Sequence, residues 1–504
     1  MTQIYTLKDL EKSVKKHKKN GQKIVLCHGC FDLVHMGHVR HFKEAKEQGD
    51  VLIVTVTEDK YVSKGPDRPF FNEEQRVEFL SSLSMIDAVA ISRYPEATPV
   101  IKLLKPDVYV KGSEYEDIEN DVTGKITEEV NAVKKHGGRV HFTHDVVFSS
   151  SNLINAAYSV QSESQKKFMS DLKKTTSFEK LKATVESLSE LKAVVVGDTI
   201  LDQYHHVKPL GNSSKSANLS VKKCGSEIHT GGACAIAKHV ASFCKSVDLV
   251  TVIGDQDDYE SLLKENKPKN LKLHLTKKKQ SQTVRKTRYI DEFSKQRIFE
   301  VAHINEAYLS EAQEKRVSEK LEKLLKDADV VFLCDFGHYF LSEKLYRLLE
   351  KKSKHLVVNI QTNSLNFGFN TLKKIKKADY ISIDERELQI HFQDKDTEVE
   401  DLVKQLVKEK RTKKLTITLG ARGALMRHKK TQVVVPALTS SVFDTVGAGD
   451  GHLSVAGLLT AVTDDMKVVG LLGNIAGGLV TKYLGNKEFI NKVLFLKTLN
   501  TLLK

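Results

Sequence analysis

Short apolar runs alternate along this chain with segments whose apolar residues recur every three or four positions. From residue 21 the series reads strand KIVLC, turn HGCFDLVHMG, helix HVRHFKEAKEQG and strand DVLIVTVT, the pattern of a β-α-β unit. Helices at NEEQRVEFLSSLS, TPVIKLLKP, KITEEVNAVKKHG and SSNLINAAYSV and strands at DAVAIS, DVYVKG and RVHFT extend it to about residue 157. Such alternation predicts a parallel sheet with right-handed crossovers. Residues 1–20 predict a lysine-rich amphipathic helix, and residues 158–190 a polar linker ending in the amphipathic helix FEKLKATVESLSE. A second alternating series opens at 191 with LKAVVVGD. It runs through DLVTVIG, DVVFLCDF, HLVVNI, ADYISI and KLTITLG to residue 504. Gly211 to Ser226 and TVRKTRYIDEFSKQRIFEV interrupt it with β-type patterns, which predict a small β lid. The two series share no repeat, so the fold class is α/β in two different domains, 21–157 and 191–504.

Composition adds little that conflicts with this. A chain of 504 residues is long enough for two cores. No apolar run approaches the roughly 20 residues that span a bilayer, and the N-terminus has no signal-like apolar stretch, so membrane insertion is not expected and the cytoplasm is. The net charge of +14 is spread over patches such as KKHKK, KKIKK and KEKRTKK. That spread predicts a solvated basic surface attractive to anionic ligands, with nucleic acid a less favoured partner. Cys27 and Cys30 form C-x-x-C without a second pair at ligand spacing, which argues against zinc or disulfide exchange.

Two motifs carry chemistry. His35 and His38 stand where a strand ends and a helix begins, the place where backbone amides and the helix dipole receive phosphate, and Gly37 between them permits close approach. Two imidazoles there can donate hydrogen bonds to an α-phosphate while pyrophosphate leaves. In FDTVGAGDGHLSVAGLLTAV, the amides of Gly447, Ala448 and Gly449 would form an anion hole for a transferred phosphoryl group. Asp450 would accept the proton of the attacking hydroxyl.

Residues 21 to about 157 resemble the H-x-G-H nucleotidyltransferases, closely the cytidylyltransferase-like branch, through GCFDLVHMGH, the loop SKGPDRPFFNEEQR, VKGSEY and FSSSNLI. This resemblance implies a Rossmann-like domain that moves a nucleotidyl group from CTP or ATP. It implies that Gly29, Cys30, Phe31 and Gly37 shape the nucleotide site and that Ser149, Ser150 and Ser151 hold the triphosphate. By the same likeness Lys46 and Lys64 neutralise charge and Lys111 meets the acceptor phosphate. A class I aminoacyl-tRNA synthetase shares the H-x-G-H motif, but no KMSKS-like loop is present. The second half resembles the ribokinase-like (PfkB) carbohydrate kinases through VVVGDTILDQY, TGGACAIAKHVA, CDFGH, ADYISIDEREL, LTITLGARGALM and DTVGAGD, in the family's order. It implies that Asp198, Asp202, Gly231 and Gly232 bind the acceptor and that Thr418, Gly420 and Gly423 border ATP. Asp384 and Glu387 would organise hydrated Mg²⁺.

Three positions depart from the kinase pattern: Ala235 where an asparagine is usual, His338 for a lysine, and Asp384 for an asparagine. They leave two readings of this half, a kinase with a shifted substrate or a kinase-like sensor or dimerisation module. The pair of halves resembles bifunctional heptose-phosphate kinase and heptose-1-phosphate nucleotidyltransferases with the order reversed. That likeness implies sugar phosphate and nucleotide substrates, a nucleotide-activated sugar for surface glycans as product, and a homodimer through the kinase half. An RNA-binding protein using the basic surface is the reading from a different class.

Overall fold

The computed structural model describes residues 2–62, 69–113, 125–143, 162–213, 215–265, 267–304, 306–438 and 442–503. The chain divides into two compact units, Met1–Ser162 with Leu496–Lys504, and Glu163–Phe495. In the first unit, strands β1 (Gln3–Tyr5), β2 (Ile24–Gly29), β3 (Val51–Thr57), β4 (Ala88–Ser92), β5 (Val108–Gly112) and β6 (Arg139–Thr143) form one sheet in the order β1-β4-β3-β2-β5-β6. Every pairing is parallel. Alternate residues of β2 feed opposite faces: Ile24 and Leu26 join Leu10, Val14 and Ile101, whereas Val25 and Cys27 join Phe42, Leu80 and Val89. The strand order reverses between β2 and β5, so the crevice at their carboxyl ends is where an open parallel sheet receives ligands.

The N-terminal residues differ from the single helix expected for 1–20. Gln3–Tyr5 adds an edge strand beside β4, and only Leu7–Lys19 is helical, with Thr6 capping it and Leu10 and Val14 buried. Three residues are too few for alternation to betray a strand.

The second unit opens with helices Glu163–Lys173 and Phe178–Ser187. The polar stretch expected to be a linker is thus helical, anchored by buried Met169 and Leu172. Its main sheet has nine strands: β7 (Lys192–Gly197), β10 (Ser246–Gly254), β11 (Leu271–Lys278), β14 (Val330–Asp335), β15 (Leu356–Ile360), β16 (Tyr380–Asp384), β17 (Lys414–Thr418), β18 (Ala424–His428) and β19 (Thr431–Val435). The order is β11-β10-β7-β14-β15-β16-β17-β18-β19, parallel except for the final two. A separate four-stranded sheet, β13-β12-β8-β9, is built from β8 (Thr199–Asn212), β9 (Leu219–Gly232), β12 (Arg285–Asp291) and β13 (Arg297–His303). This is the lid, larger than its sequence signature because β8 leaves the main sheet directly after Asp198. Helix Ala448–Leu459 is buried from Asp450 onward, with Asp450, His452 and Ser454 the polar groups among its buried residues. Among the described residues no helix is long and apolar enough to cross a membrane.

Candidate active sites

In the first unit the turn after β2 is shaped by a reciprocal cap. His35 is the N-cap of helix Met36–Lys46. Its Nδ1 accepts the Gly37 amide at 3.1 Å, while His38 Nδ1 accepts the His35 amide at 3.3 Å. Because both Nδ1 atoms act as acceptors, the proton of each neutral imidazole is on Nε2. The two rings lie 4.1 Å apart, with two N–H donors issuing from one helix start. Phe31, at φ 49°, supports His38 edge-on at 5.6 Å. Gly29 leaves room for it, since a Cβ there would lie 3.0 Å from the Phe31 ring.

Sequence reasoning missed the residues that hold this turn. Arg76 is 1% exposed and donates to the Cys30 carbonyl, to the Thr57 carbonyl at 2.9 Å and to the Phe71 carbonyl at 2.9 Å, while pairing with Asp59. Asp32 accepts the amides of Phe70 and Phe71 at 2.6 and 3.0 Å. His28 shares a hydrogen bond of 2.9 Å with Thr55, and His41 one of 2.8 Å with Thr143. Burial, then the Lys111 charge, lowers His28 to about 3 and His41 to about 4, so both rings stay neutral near neutral pH. The prior signals were the quoted segments: Asp32 lies within GCFDLVHMGH and Arg76 closes SKGPDRPFFNEEQR, while His28 and His41 flank the H-x-G-H motif.

Lys111 ends β5 at the same crevice, its ammonium 2.9 Å from Glu129, which also accepts the Tyr109 hydroxyl. Lys46 does not join the site. It lies at the far end of helix Met36–Lys46, bound to Asp87 and the Asp50 carbonyl beside the starts of β3 and β4. Lys46 is eleven positions on from His35, roughly 16 Å along the helix. Cys27 is buried in β2, and among the described residues no cluster of metal-ligating side chains is found. Lys64, Ser149, Ser150 and Ser151 lie outside the described residues.

In the second unit Asp450 occupies the first turn of helix Ala448–Leu459, where Gln361 Nε2 donates to it at 3.0 Å. Burial, reinforced by Asp202, raises its carboxyl to about 7 against the pull of Gln361 and Lys286. Gly447 caps the helix at φ 86°, and a side chain there would strike Asn486. Space is open around Gly449, whereas the Ala448 amide turns to the Thr445 carbonyl at 3.2 Å and must release it to join an anion hole. Glu387 accepts the Thr362 amide at 3.1 Å and the Asp384 amide at 2.9 Å, and Asp384 accepts the Glu387 amide in return. Burial, then Asp384, pushes Glu387 up to about 8, with Asp450 also contributing. Crowded carboxylates, with no direct-ligand cluster among the described residues, fit a cation held through water.

Asp198 is fully buried and accepts the Phe336 amide at 3.0 Å; burial and then Asp335 raise it to about 7. Asp202 is held by Arg288 of the lid and by Asn486 at 3.2 Å. Gly231 lets that carboxylate approach, since a Cβ would lie 2.2 Å from it, and Gly232 turns the chain at φ 57° into helix Ala233–Ala241. Lys286, on β12, faces Asp202 and Asp450 electrostatically. Neither Lys286 nor Arg288 was singled out from sequence. His338 is 3% exposed and lowered to about 4 chiefly by burial, so it is neutral where a lysine would carry charge. Ala235 borders a cavity of about 460 Å³ shared with Lys238, His239, Lys267 and Asn486. Thr418 ends β17, and Gly420 and Gly423 frame the turn after it. Gly420 faces open space, while Gly423 is required by the close Val435 carbonyl.

Residues 190–491 match the model of the pfkB family of carbohydrate kinases. The chain belongs to this family. Residues 26–159 match the cytidylyltransferase-like model, so a cytidylyltransferase-like domain precedes the pfkB domain. Similar curated proteins include the bifunctional protein HldE of Aliarcobacter butzleri, 43% identical over 141 residues, 27% of this chain and 29% of that protein. HldE of Nitratiruptor sp. is 42% identical over 135 residues, 26% of this chain and 28% of its own length. These matches fall in the cytidylyltransferase-like domain, and the chain spans less than a third of the relatives' length. Among solved structures, phosphofructokinase-2 of Escherichia coli is 16% identical with a TM-score of 0.49, covering 62% of this chain and 99% of that one.

Proposed function

We propose that this pfkB-family protein phosphorylates a sugar or sugar phosphate with ATP and joins a sugar phosphate to a nucleotidyl group from CTP or ATP, supplying a nucleotide-activated sugar for surface glycans. In the first step the acceptor hydroxyl gives its proton to Asp450 as its oxygen bonds to the γ-phosphorus, and ADP leaves. Gly447 and Gly449 amides, joined by Ala448 once its turn bond opens, stabilise the transferring phosphoryl charge. Mg²⁺, held through water by Asp384 and Glu387, would screen the ATP phosphates. In the second step the sugar phosphate oxygen attacks the α-phosphorus and pyrophosphate leaves, while His35 and His38 donate through Nε2–H. Lys111 remains the acceptor-phosphate candidate of the first unit.

The observation that carries this reading is the paired chemistry of one chain: two imidazoles fixed as Nε2–H donors, and a helix-start carboxyl raised to about 7, poised to accept a proton. Lys286, facing Asp202 and Asp450, favours an acceptor that already carries an anionic group, whereas Arg288 is already paired with Asp202 and Glu300. The cavity at Ala235 favours a shifted substrate within that class. A sensor role has one supporting observation, the commitment of Asp202 to Arg288 and Asn486. Phosphorus NMR of the protein with ATP or CTP and a panel of heptose, hexose and polyol phosphates tests the proposal. ADP formation abolished by Asp450→Ala supports the kinase, and no ADP from any acceptor favours the sensor. A homodimer through the pfkB domain completes the proposal, and sedimentation of the chain checks it.

A further inference from the structure

The first aspartate of DTVGAGD joins more of the second unit than its motif suggests. Asp444 is 7% exposed. One of its oxygens accepts the Val446 amide at 3.1 Å, forming the tight turn that delivers Gly447 to the helix start. Its other oxygen accepts the Gly485 amide at 2.9 Å. Gly485 has φ 55°, and a side chain there would strike the Tyr204 hydroxyl. The next residue, Asn486, packs against Gly447 and donates to Asp202 at 3.2 Å. Asp444 therefore sets both the anion-hole turn and the segment that backs it.

The partner of this carboxylate is Arg297, the first residue of β13, the edge strand of the lid, whose Nη2 bonds the same oxygen that holds Val446. The Asp444 side chain is 5% exposed and the Arg297 side chain 42%. A lid that moves away from the cleft takes the guanidinium with it and leaves a buried carboxylate held by backbone amides alone. We propose that Arg297 is a positioning residue for phosphoryl transfer: by clamping Asp444 it aligns the Gly447–Gly449 turn only when the lid edge is in place. Lid closure and anion-hole assembly then become one event, and ATP has no organised phosphoryl site while the lid is away.

The inference rests on the kinase reading, and the tests separate the two. Arg297→Ala is expected to lower kcat for ADP formation on the order of 100-fold with KM for ATP and acceptor within about threefold, because a displaced turn harms the transition state more than substrate binding. Millimolar guanidinium ion should restore turnover to Arg297→Ala but not to Asp444→Asn. The double variant should be no slower than the slower single. A kcat within about threefold of the parent, or additive losses in the double variant, overturns the clamp. Arg297→Gln replaces the alanine variant if that loses its cooperative melt, with the same outcomes. Should the parent make no ADP, the kinase reading falls and amide exchange decides the clamp. Exchange over residues 442–451 should quicken in Arg297→Ala, and unchanged exchange there overturns it.

Discussion

Asp450→Asn should stabilise the second unit while destroying its proposed chemistry. Burial holds the Asp450 carboxyl at about 7 against an ordinary 3.8. That gap of about 3 units, at about 1.4 kcal/mol each, makes the ionised carboxylate a cost to the folded unit on the order of 4 kcal/mol. The folded pKa lies above the unfolded one, so the penalty is absent below about pH 4, grows as pH rises and is complete above about pH 7. An amide of the same size can still meet Gln361 without charge. Urea unfolding of parent and variant between about pH 5 and pH 8 should show a stability gain that widens with pH, bounded by that 4 kcal/mol. ADP formation by the parent should fall below about pH 7 as the base protonates, and in the variant it should drop at least on the order of 100-fold. A gain that stays flat across the pH series would refute the picture of a carboxylate held against desolvation.

Three other outcomes follow from the geometry. His38→Ala should lower pyrophosphate release by roughly 100-fold or more while ADP formation continues, measured by coupled assays on one preparation. Arg76→Met removes a buried cation serving three carbonyls and Asp59, so urea unfolding of the first unit should show a loss of about 3 kcal/mol. Glu387, pushed up to about 8, holds a proton at neutral pH until a cation arrives. Calorimetry of Mg-ATP binding in buffers of different ionisation enthalpy should therefore register proton release near neutral pH, and Glu387→Gln should abolish it.

The two candidate centres were legible because each is local: His35 and His38 lie within one turn, and Gly447 to Asp450 open one helix. Lys46 was grouped with the histidines by family likeness, which does not register that it stands at the opposite end of helix Met36–Lys46, held by Asp87 and the Asp50 carbonyl. Arg76 closes the quoted loop SKGPDRPFFNEEQR, but its role was hidden because its acceptors on Cys30, Thr57, Asp59 and Phe71 belong to three different segments. The alternation of strands and helices announced both α/β domains. It did not show that Glu163–Lys173 is helical, since two buried residues on a polar helix leave hardly any periodic trace. The Arg297 pairing crosses 147 positions, beyond any pattern that one sequence displays.

The reciprocal cap of His35 and His38 also bears on how this site can change over generations. The bonds that begin the helix are the bonds that orient both rings, so a substitution at either one costs the start signal and the proposed catalysis together. A lineage abandoning the proposed transferase activity would have to acquire a new cap, such as serine or aspartate at position 35, to keep the domain folded. Descendants with a dead site should therefore carry a conventional helix start there, whereas descendants that keep both imidazoles are under selection for chemistry and architecture at once.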